Sequence, residues 1–292
     1  MRYRAGMDDD ELPGRTWSRR LWCRDGISVI DVRGEYEPFP WTATWLNDRW
    51  SIVLPRSGVY RRRYDGVEHV VDTNTGFVRR PGQETAMAMP TGVPDTLTII
   101  DVDEAALGAV DPLTGADGPL RVTPKVSLGH RLLRSCLHAD ADDLTVEAAI
   151  GDVVSSAVGA TEHPRYTRPS TELTHRRAVL QTCELLQVAP ADMTLIELAR
   201  HVAVSPFHLT KIFRRVTGTT ISQYRARLRV DAVLERISAG DDDLSTIAAS
   251  TGFADHSHMT RTVVAQLGHT PSELRRLLRH AVPGDQPVLD AR

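Results

Sequence analysis

The spacing of hydrophobic and polar positions changes period once along this chain. Residues 26–103 carry short apolar or alternating runs, "ISVIDVR", "WSIVLP", "GVYRRRY", "VEHVV", "GFVRR" and "DTLTIIDV", which predict strands. Turn signals separate them: Asp65-Gly66, Asn74-Thr75-Gly76, Pro81-Gly82 and Gly92-Val93-Pro94. Short strands at this spacing predict a small sandwich or barrel. "DPLTGADGP" at 111–119 reads as a loop. Beyond it the period lengthens. Leu128, Leu132 and Leu133 recur at helical spacing, as do Val146, Ile150, Val153 and Val154. "GATEHPRYTRPS" at 159–170, with two prolines, reads as a linker, and 171–280 as helices joined by short turns. The expected fold class is α+β: a β-rich domain at 1–120, a helical connector at 121–170, an all-α domain at 171–280 and a tail at 281–292.

The helical region repeats itself. "SPFHLTKIFRRVTG" (205–218) and "DHSHMTRTVVAQLG" (255–268) match in kind at an offset of 50. Ser205 and Asp255 are helix N-cap residue types. Leu209 pairs with Met259, Thr210 with Thr260, Lys211 with Arg261, Phe213 with Val263, and Gly218 with Gly268. A short helical stretch precedes each, "LIELARHV" and "LSTIAAST", where Ala199 matches Ala248 at an offset of 49. A short helix, a tight turn and a second capped helix describe a helix-turn-helix, here present twice.

In the first copy Leu209, Ile212, Phe213 and Val216 form the stripe expected to be buried. Phe207, Thr210, Lys211, Arg214 and Arg215 take the opposite face. That face suits a DNA major groove: a lysine can donate to guanine O6 and N7, and a ring can meet a thymine methyl. Arginines one turn further on can reach phosphates. In the second copy His256 and His258 are two residues apart. Successive helical residues turn by about 100°, so these rings diverge and cannot chelate one ion. No metal or cofactor is expected.

Net charge is −3, unevenly spread. Residues 1–169 carry 20 Lys+Arg and 25 Asp+Glu, net −5, whereas residues 170–280 carry 14 and 11, net +3. The basic back is the part expected to meet a polyanion. Cys23, Cys136 and Cys183 lie far apart and read as reduced, buried thiols. No apolar run approaches the ~20 residues of a membrane span. Met1 to Glu11 is polar and then acidic, unlike a signal peptide, so the cytoplasm is the expected location.

"LIELARHVAVSPFHLTKIFRRVTGTTISQY" and "LSTIAASTGFADHSHMTR…LGHTPSELRR" resemble the AraC/XylS family of transcription regulators over roughly residues 174–280. The resemblance implies two helix-turn-helix units joined by a long helix, here about Ile221 to Ser238, with double-stranded DNA as partner. Carried across by position, the family's base-reading residues fall on Phe207, Thr210 and Lys211, and on His256, Ser257 and Arg261. With His208, Arg214, Arg215 and Thr260, these form the candidate DNA-contact set. The sequence departs from the family at Val263 to Gln266, where an aromatic and basic residues are usual.

The resemblance also implies a cupin-like sensor at the front, a small-molecule effector, contact with RNA polymerase, and a homodimer built through the helices at 124–158. Residues 1–120 hold one histidine, His69, too few for metal-dependent cupin chemistry, and no catalytic residue is expected. The five tryptophans all lie within the first 50 residues, as pocket lining, core or dimer face. A cupin-type enzyme fused to a DNA-binding module and a regulator without a small effector remain open readings. The sequence names neither operator nor effector.

Overall fold

The computed structural model describes residues 14–64, 66–106, 118–160, 169–188 and 193–279. Asp65, residues 111–117 of the expected loop at 111–119, residues 161–168 of the expected linker at 159–170 and the tail at 281–292 lie outside them. Among the described residues the front carries ten strands: β1 (Gly14–Arg24), β2 (Ile27–Tyr36), β3 (Trp45–Leu46), β4 (Trp50–Ser57), β5 (Tyr60–Tyr64), β6 (Val67–Val71), β7 (Thr75–Arg79), β8 (Glu84–Ala88), β9 (Asp95–Val102) and β10 (Gly118–Arg121). Two antiparallel sheets form, one in the order β1-β2-β9-β4-β7-β10 and one in the order β3-β8-β5-β6.

The period-2 alternation of strand side chains explains why the central strands are apolar on both faces. Ile52, Leu54, Val78, Ile100, Val102 and Val29 point to one core. Their neighbours Val53, Phe77, Ile99 and Ile30 point to the other, where Tyr60, Val71, Met87 and Met89 of the smaller sheet meet them. Pairing of Ile52 with Ile100 and of Val53 with Ile99 keeps each set in register. The first core is closed by two helices, α1 (Pro124–His138) and α2 (Asp143–Val158). The apolar stripe Val146, Ile150, Val153, Val154 of α2 is therefore used within the chain, against the sheet.

Four strands were not legible from the pattern. β1 is an edge strand with four arginines and little burial, the charged composition that edges favour. β8 is "ETAMA", poor in β-formers, and is held by pairing with β5 and β3. β10 occupies Gly118–Arg121, so the end of the stretch expected as loop is an edge strand, with Pro119 opposite Phe77. β3 has only two residues.

The remaining helices are α3 (Pro169–Val188), α4 (Leu195–His201), α5 (Pro206–Thr217), α6 (Ile221–Ser238), α7 (Leu244–Ser250), α8 (His256–Leu267) and α9 (Pro271–Arg279). They build two cores that share α6, a rod of about 27 Å at 1.5 Å per residue. Ile221, Tyr224 and Leu228 of α6 join Leu209, Ile212 and Phe213 of α5. Val230, Val233, Leu234 and Ile237 join Met259 and Val263 of α8 and Leu274 and Leu278 of α9.

Both cores also touch the front. Val59 and Val70 enter the first, and Leu128 and Leu132 of α1 pack on the second. A polar seam runs between α1 and α6. Ser127 Oγ donates to Asp231 Oδ1 (3.2 Å), Arg227 Nε to Asp231 Oδ2 (3.1 Å) and Arg131 Nη1 to Glu235 Oε2 (3.0 Å). The tryptophans are dispersed. Trp22 and Trp50 pack on the helix-covered core, Trp45 on the inter-sheet core, Trp41 lies 4.0 Å under the Arg63 guanidinium, and Trp17 is exposed.

Candidate nucleic-acid interface

Capping chemistry sets the limits of α4 and α5, and repeats at α7 and α8. Thr194 and Glu197 make a capping box at the start of α4. Ser205 accepts from the His208 N–H at 3.2 Å to start α5, with Pro206 at the first helical position. Asp255 accepts from the His258 N–H at 2.7 Å to start α8. Gly218 and Gly268 end α5 and α8 in the left-handed region, at φ 72° and 74°. The repeat continues into the next helix of each copy: Thr220 with Gln223 and Thr270 with Glu273, again 50 residues apart, make matching capping boxes. The Thr270 N–H and hydroxyl hold the Glu273 carboxyl below the usual carboxylate range, as Thr194 does for Glu197.

The turns differ by one residue. Four residues separate α4 from α5 and five separate α7 from α8. The left-handed position after the short helix is Ala203 in the first copy (φ 53°) and Gly252 in the second (φ 77°).

On α5, Leu209, Ile212 and Phe213 are buried and Val216 is half-buried. Phe207, Thr210, Lys211, Arg214 and Arg215 are exposed. Phe207 is 80% exposed, an unusual position for a phenyl ring unless another surface meets it. The Thr210 hydroxyl donates to the Phe207 carbonyl at 2.8 Å, which leaves its lone pairs outward. His208 turns inward, its Nε2 3.1 Å from Nε2 of His175 on α3. Arg215 Nη2 lies 2.6 Å from His175 Nδ1. His175 thus orients two members of the candidate set.

On α8, His256, Ser257 and Arg261 are exposed and Thr260 is half-buried, with its hydroxyl oxygen buried. The two histidines of this helix part as the helical period requires: His258 meets the Phe253 ring edge-on at 5.4 Å, while His256 faces out. Among the described residues no three His, Cys, Asp or Glu side chains converge as metal ligands. The last turns differ in charge. Arg214 and Arg215 close α5, whereas α8 ends with exposed Val264 and Ala265 and no base.

Two residues of this face were not singled out from sequence. A groove of about 640 Å³ between α5 and the start of α6 is lined by Phe207, Lys211, Arg214, Ser222 and Arg225. Arg225 Nη2 donates to the Met193 carbonyl, which holds the side chain across the groove. The Thr220–Gln223 capping box was the available signal: it fixes where α6 starts, and so which side Ser222 and Arg225 take.

The helical region has known relatives. Residues 198–277 match the model of the helix-turn-helix domain family. The HTH-type transcriptional regulator RipA of Corynebacterium diphtheriae is 33% identical over 114 residues, which is 39% of this chain and 34% of that protein. The HTH-type transcriptional regulator Rv1931c of Mycobacterium tuberculosis is 31% identical over 80 residues, 27% of this chain and 31% of that protein. The arabinose operon regulatory protein of Escherichia coli is 25% identical over 99 residues, 33% of this chain and 34% of that protein. The match thus spans about a third of each curated relative. ToxT from Vibrio cholerae aligns in structure over 87% of this chain and 100% of its own, at 11% identity and a TM-score of 0.35.

Proposed function

We propose, from the premise that residues 198–277 form an AraC-type helix-turn-helix domain, that this chain is a sequence-specific DNA-binding transcription regulator. One observation carries the proposal: α5 and α8 are 12-residue helices, each started by a side-chain N-cap and ended by a left-handed glycine, each presenting exposed polar or cationic side chains opposite a buried stripe. In this reading α4–α5 and α7–α8 are the two helix-turn-helix units. Helices α5 and α8 enter successive major grooves, about 34 Å apart along one face of the duplex.

Lys211 and Arg261 take the same place in the two copies and serve as the principal base readers, because each long cation can donate to guanine O6 and N7. Phe207 offers an apolar ring to a thymine methyl, and Thr210, His256 and Ser257 add shorter polar contacts. Arg214 and Arg215 bind phosphate; His175 pre-orients Arg215, and Ser222 and Arg225 extend that surface. His208 and Thr260 face inward and act by positioning rather than by touching bases.

The front acts as a sensor, its paired sheets forming a cupin-like unit. The α1–α6 seam gives a route for control. Helix α6 joins both DNA-reading units, so a change in how α1 docks on it alters their presentation. The protein works in the cytoplasm, and contact with RNA polymerase follows by analogy with the family. Among the described residues no helix is long and apolar enough to cross a membrane.

Selection of bound duplexes from a random pool by the full chain tests the reading. The expected result is enrichment of one motif, bound far more tightly than its scrambled version. Equal binding of both overturns it.

A further inference from the structure

The outer edge of β1 is open. It pairs with β2 on one side, and no other strand adjoins it among the described residues. Alternate residues of such an edge turn their N–H and C=O outward, where a further strand can bond to them. A bulge between Arg20 and Trp22 interrupts the register, so the regular stretch runs from Gly14 to Arg20. Beyond the bulge the strand is tied to α2. Trp22 Nε1 donates to Asp143 Oδ1 at 2.9 Å, and Arg24 Nη1 to Asp143 Oδ2 at 2.8 Å. Cys23, between them, is exposed and not buried as the sequence suggested.

Unlike Arg24, the other three arginines of the strand lack an acid. Arg15, Arg19 and Arg20 are exposed, and none of them makes an ion pair among the described residues. The acids across from two of them on β2 are already taken. Glu35, opposite Arg15, is held by Arg33 at 2.8 Å, and Asp31, opposite Arg19, is held by Arg56. Trp17 lies between the two, opposite Arg33, and is 46% exposed. Residues two apart share one face of a strand, so Arg15, Trp17 and Arg19 form a row of cation, ring and cation. Arg20 takes the other face.

We propose that this edge takes up an extended acidic segment of a partner protein as an added antiparallel strand. Main-chain bonds to the open edge hold such a segment, and its alternate side chains decide which segment is held. Directly opposite side chains meet, so the row of β1 calls for acid, ring and acid at every second position of the partner. Charge speaks against two other occupants. A second copy paired about Trp17 would set Arg15 of one copy against Arg19 of the other, and like charges directly opposite repel. Duplex phosphate suits the arginines but leaves the outward carbonyls of the edge facing negative oxygen. The arginines that refuse a second copy thus select an acidic strand. The proposal does not rest on the regulator reading.

The test uses the full chain and fluorescein-labelled peptides read by polarisation. The first contains Glu-Glu-Thr-Tyr-Thr-Glu, which in antiparallel pairing sets acids against Arg20, Arg19 and Arg15 and the ring against Trp17. In the second, lysine replaces each glutamate. The expected result is one saturable site per chain for the acidic peptide, with the basic one at least tenfold weaker. Arg15→Glu, Arg19→Glu and Arg20→Glu together should invert that preference, whereas a damaged fold would lose both peptides. N-methylation of one alternating set of amides in the acidic peptide should abolish binding and of the other set spare it, since only one edge of a strand faces β1. Equal binding of the two peptides, a charge exchange without inversion, or indifference to both methylated sets overturns the proposal. So does any rival occupant. An oligomer in sedimentation that the charge exchange disperses would assign the edge to a second copy. A tenfold loss of duplex affinity in that variant, with no peptide bound by the wild type, would assign it to DNA. Peptide binding that appears only with Asp8→Ser, Asp9→Ser, Asp10→Ser and Glu11→Ser would assign it to the chain's own acidic run.

Discussion

Arg61 on β5 donates through Nε and Nη2 to the two carboxylate oxygens of Glu184 on α3, at 2.5 and 2.8 Å. Sequence placed these residues 123 positions apart, in regions read as separate domains. The fork joins the front sheet to α3, which shares a core with α4, α5, Val59 and Val70. The Glu184 side chain is 8% exposed and Arg61 19%, so water screens the pair little. Arg61→Ala strands a buried carboxylate and should cost about 3 kcal/mol in a urea titration. Arg61→Lys should recover only part, since an ammonium cannot reproduce the two-pronged geometry. A loss under ~0.5 kcal/mol, the scale of a surface pair, would show that the fork does not hold these parts together.

Ala203 holds φ 53° in the turn before α5, where the second copy has Gly252. A side chain in the left-handed region is strained. Ala203→Gly should therefore stabilise the protein by ~0.5–1 kcal/mol, although glycine elsewhere usually destabilises. Thermal melting checks this, and a lowered midpoint would mean that the turn relies on the methyl group.

His69 gives a pH signature. Its ring, stacked on Tyr64 at 4.6 Å, has its pKa pushed from 6.5 to about 4 by burial and then by Arg176. A group depressed in the fold stabilises it fully above pH 6.5, and this is lost as the pH falls toward 4. By pH 4.5 the loss from this residue is roughly 2.5 kcal/mol. His69→Gln should remove that component: denaturation of both proteins at pH 7 and 4.5 should show the wild type losing more. Equal losses would mean that the ring is protonated in the folded state.

The two DNA-reading helices should be unequal. Each phosphate neutralised adds about 0.9 to the slope of log affinity against log salt. Arg214→Ala combined with Arg215→Ala should weaken binding on all DNA and flatten that slope by up to ~2 units. Lys211→Ala and Arg261→Ala should each cost ~1–3 kcal/mol on the selected site alone. Val264→Lys, on the exposed cation-free end of α8, should steepen the slope by ~1. Salt titrations of these variants decide it; an unchanged slope for Val264→Lys would mean that no phosphate lies beside that turn.

The helical half was more legible than the front. Caps, the 50-residue repeat and the apolar stripes are local signals, so the caps at Ser205 and Asp255 could be read directly, whereas the bounds of α6 came from the family resemblance. The exposed face of α5 followed from the same period. What escaped depends on distant partners. β8 is a strand because β5 and β3 flank it, and β10 because β7 offers an edge. Nothing near His175 in sequence marks it as the partner of His208 and Arg215.

Hydroxyl-radical footprinting of the full chain on its selected duplex tests the central claim most directly. Two units reading successive grooves should protect two backbone patches on one face, centred 10–10.5 base pairs (about 34 Å) apart. Arg261→Ala should weaken only the patch under α8. A single patch, or two patches on opposite faces, would contradict the two-groove account.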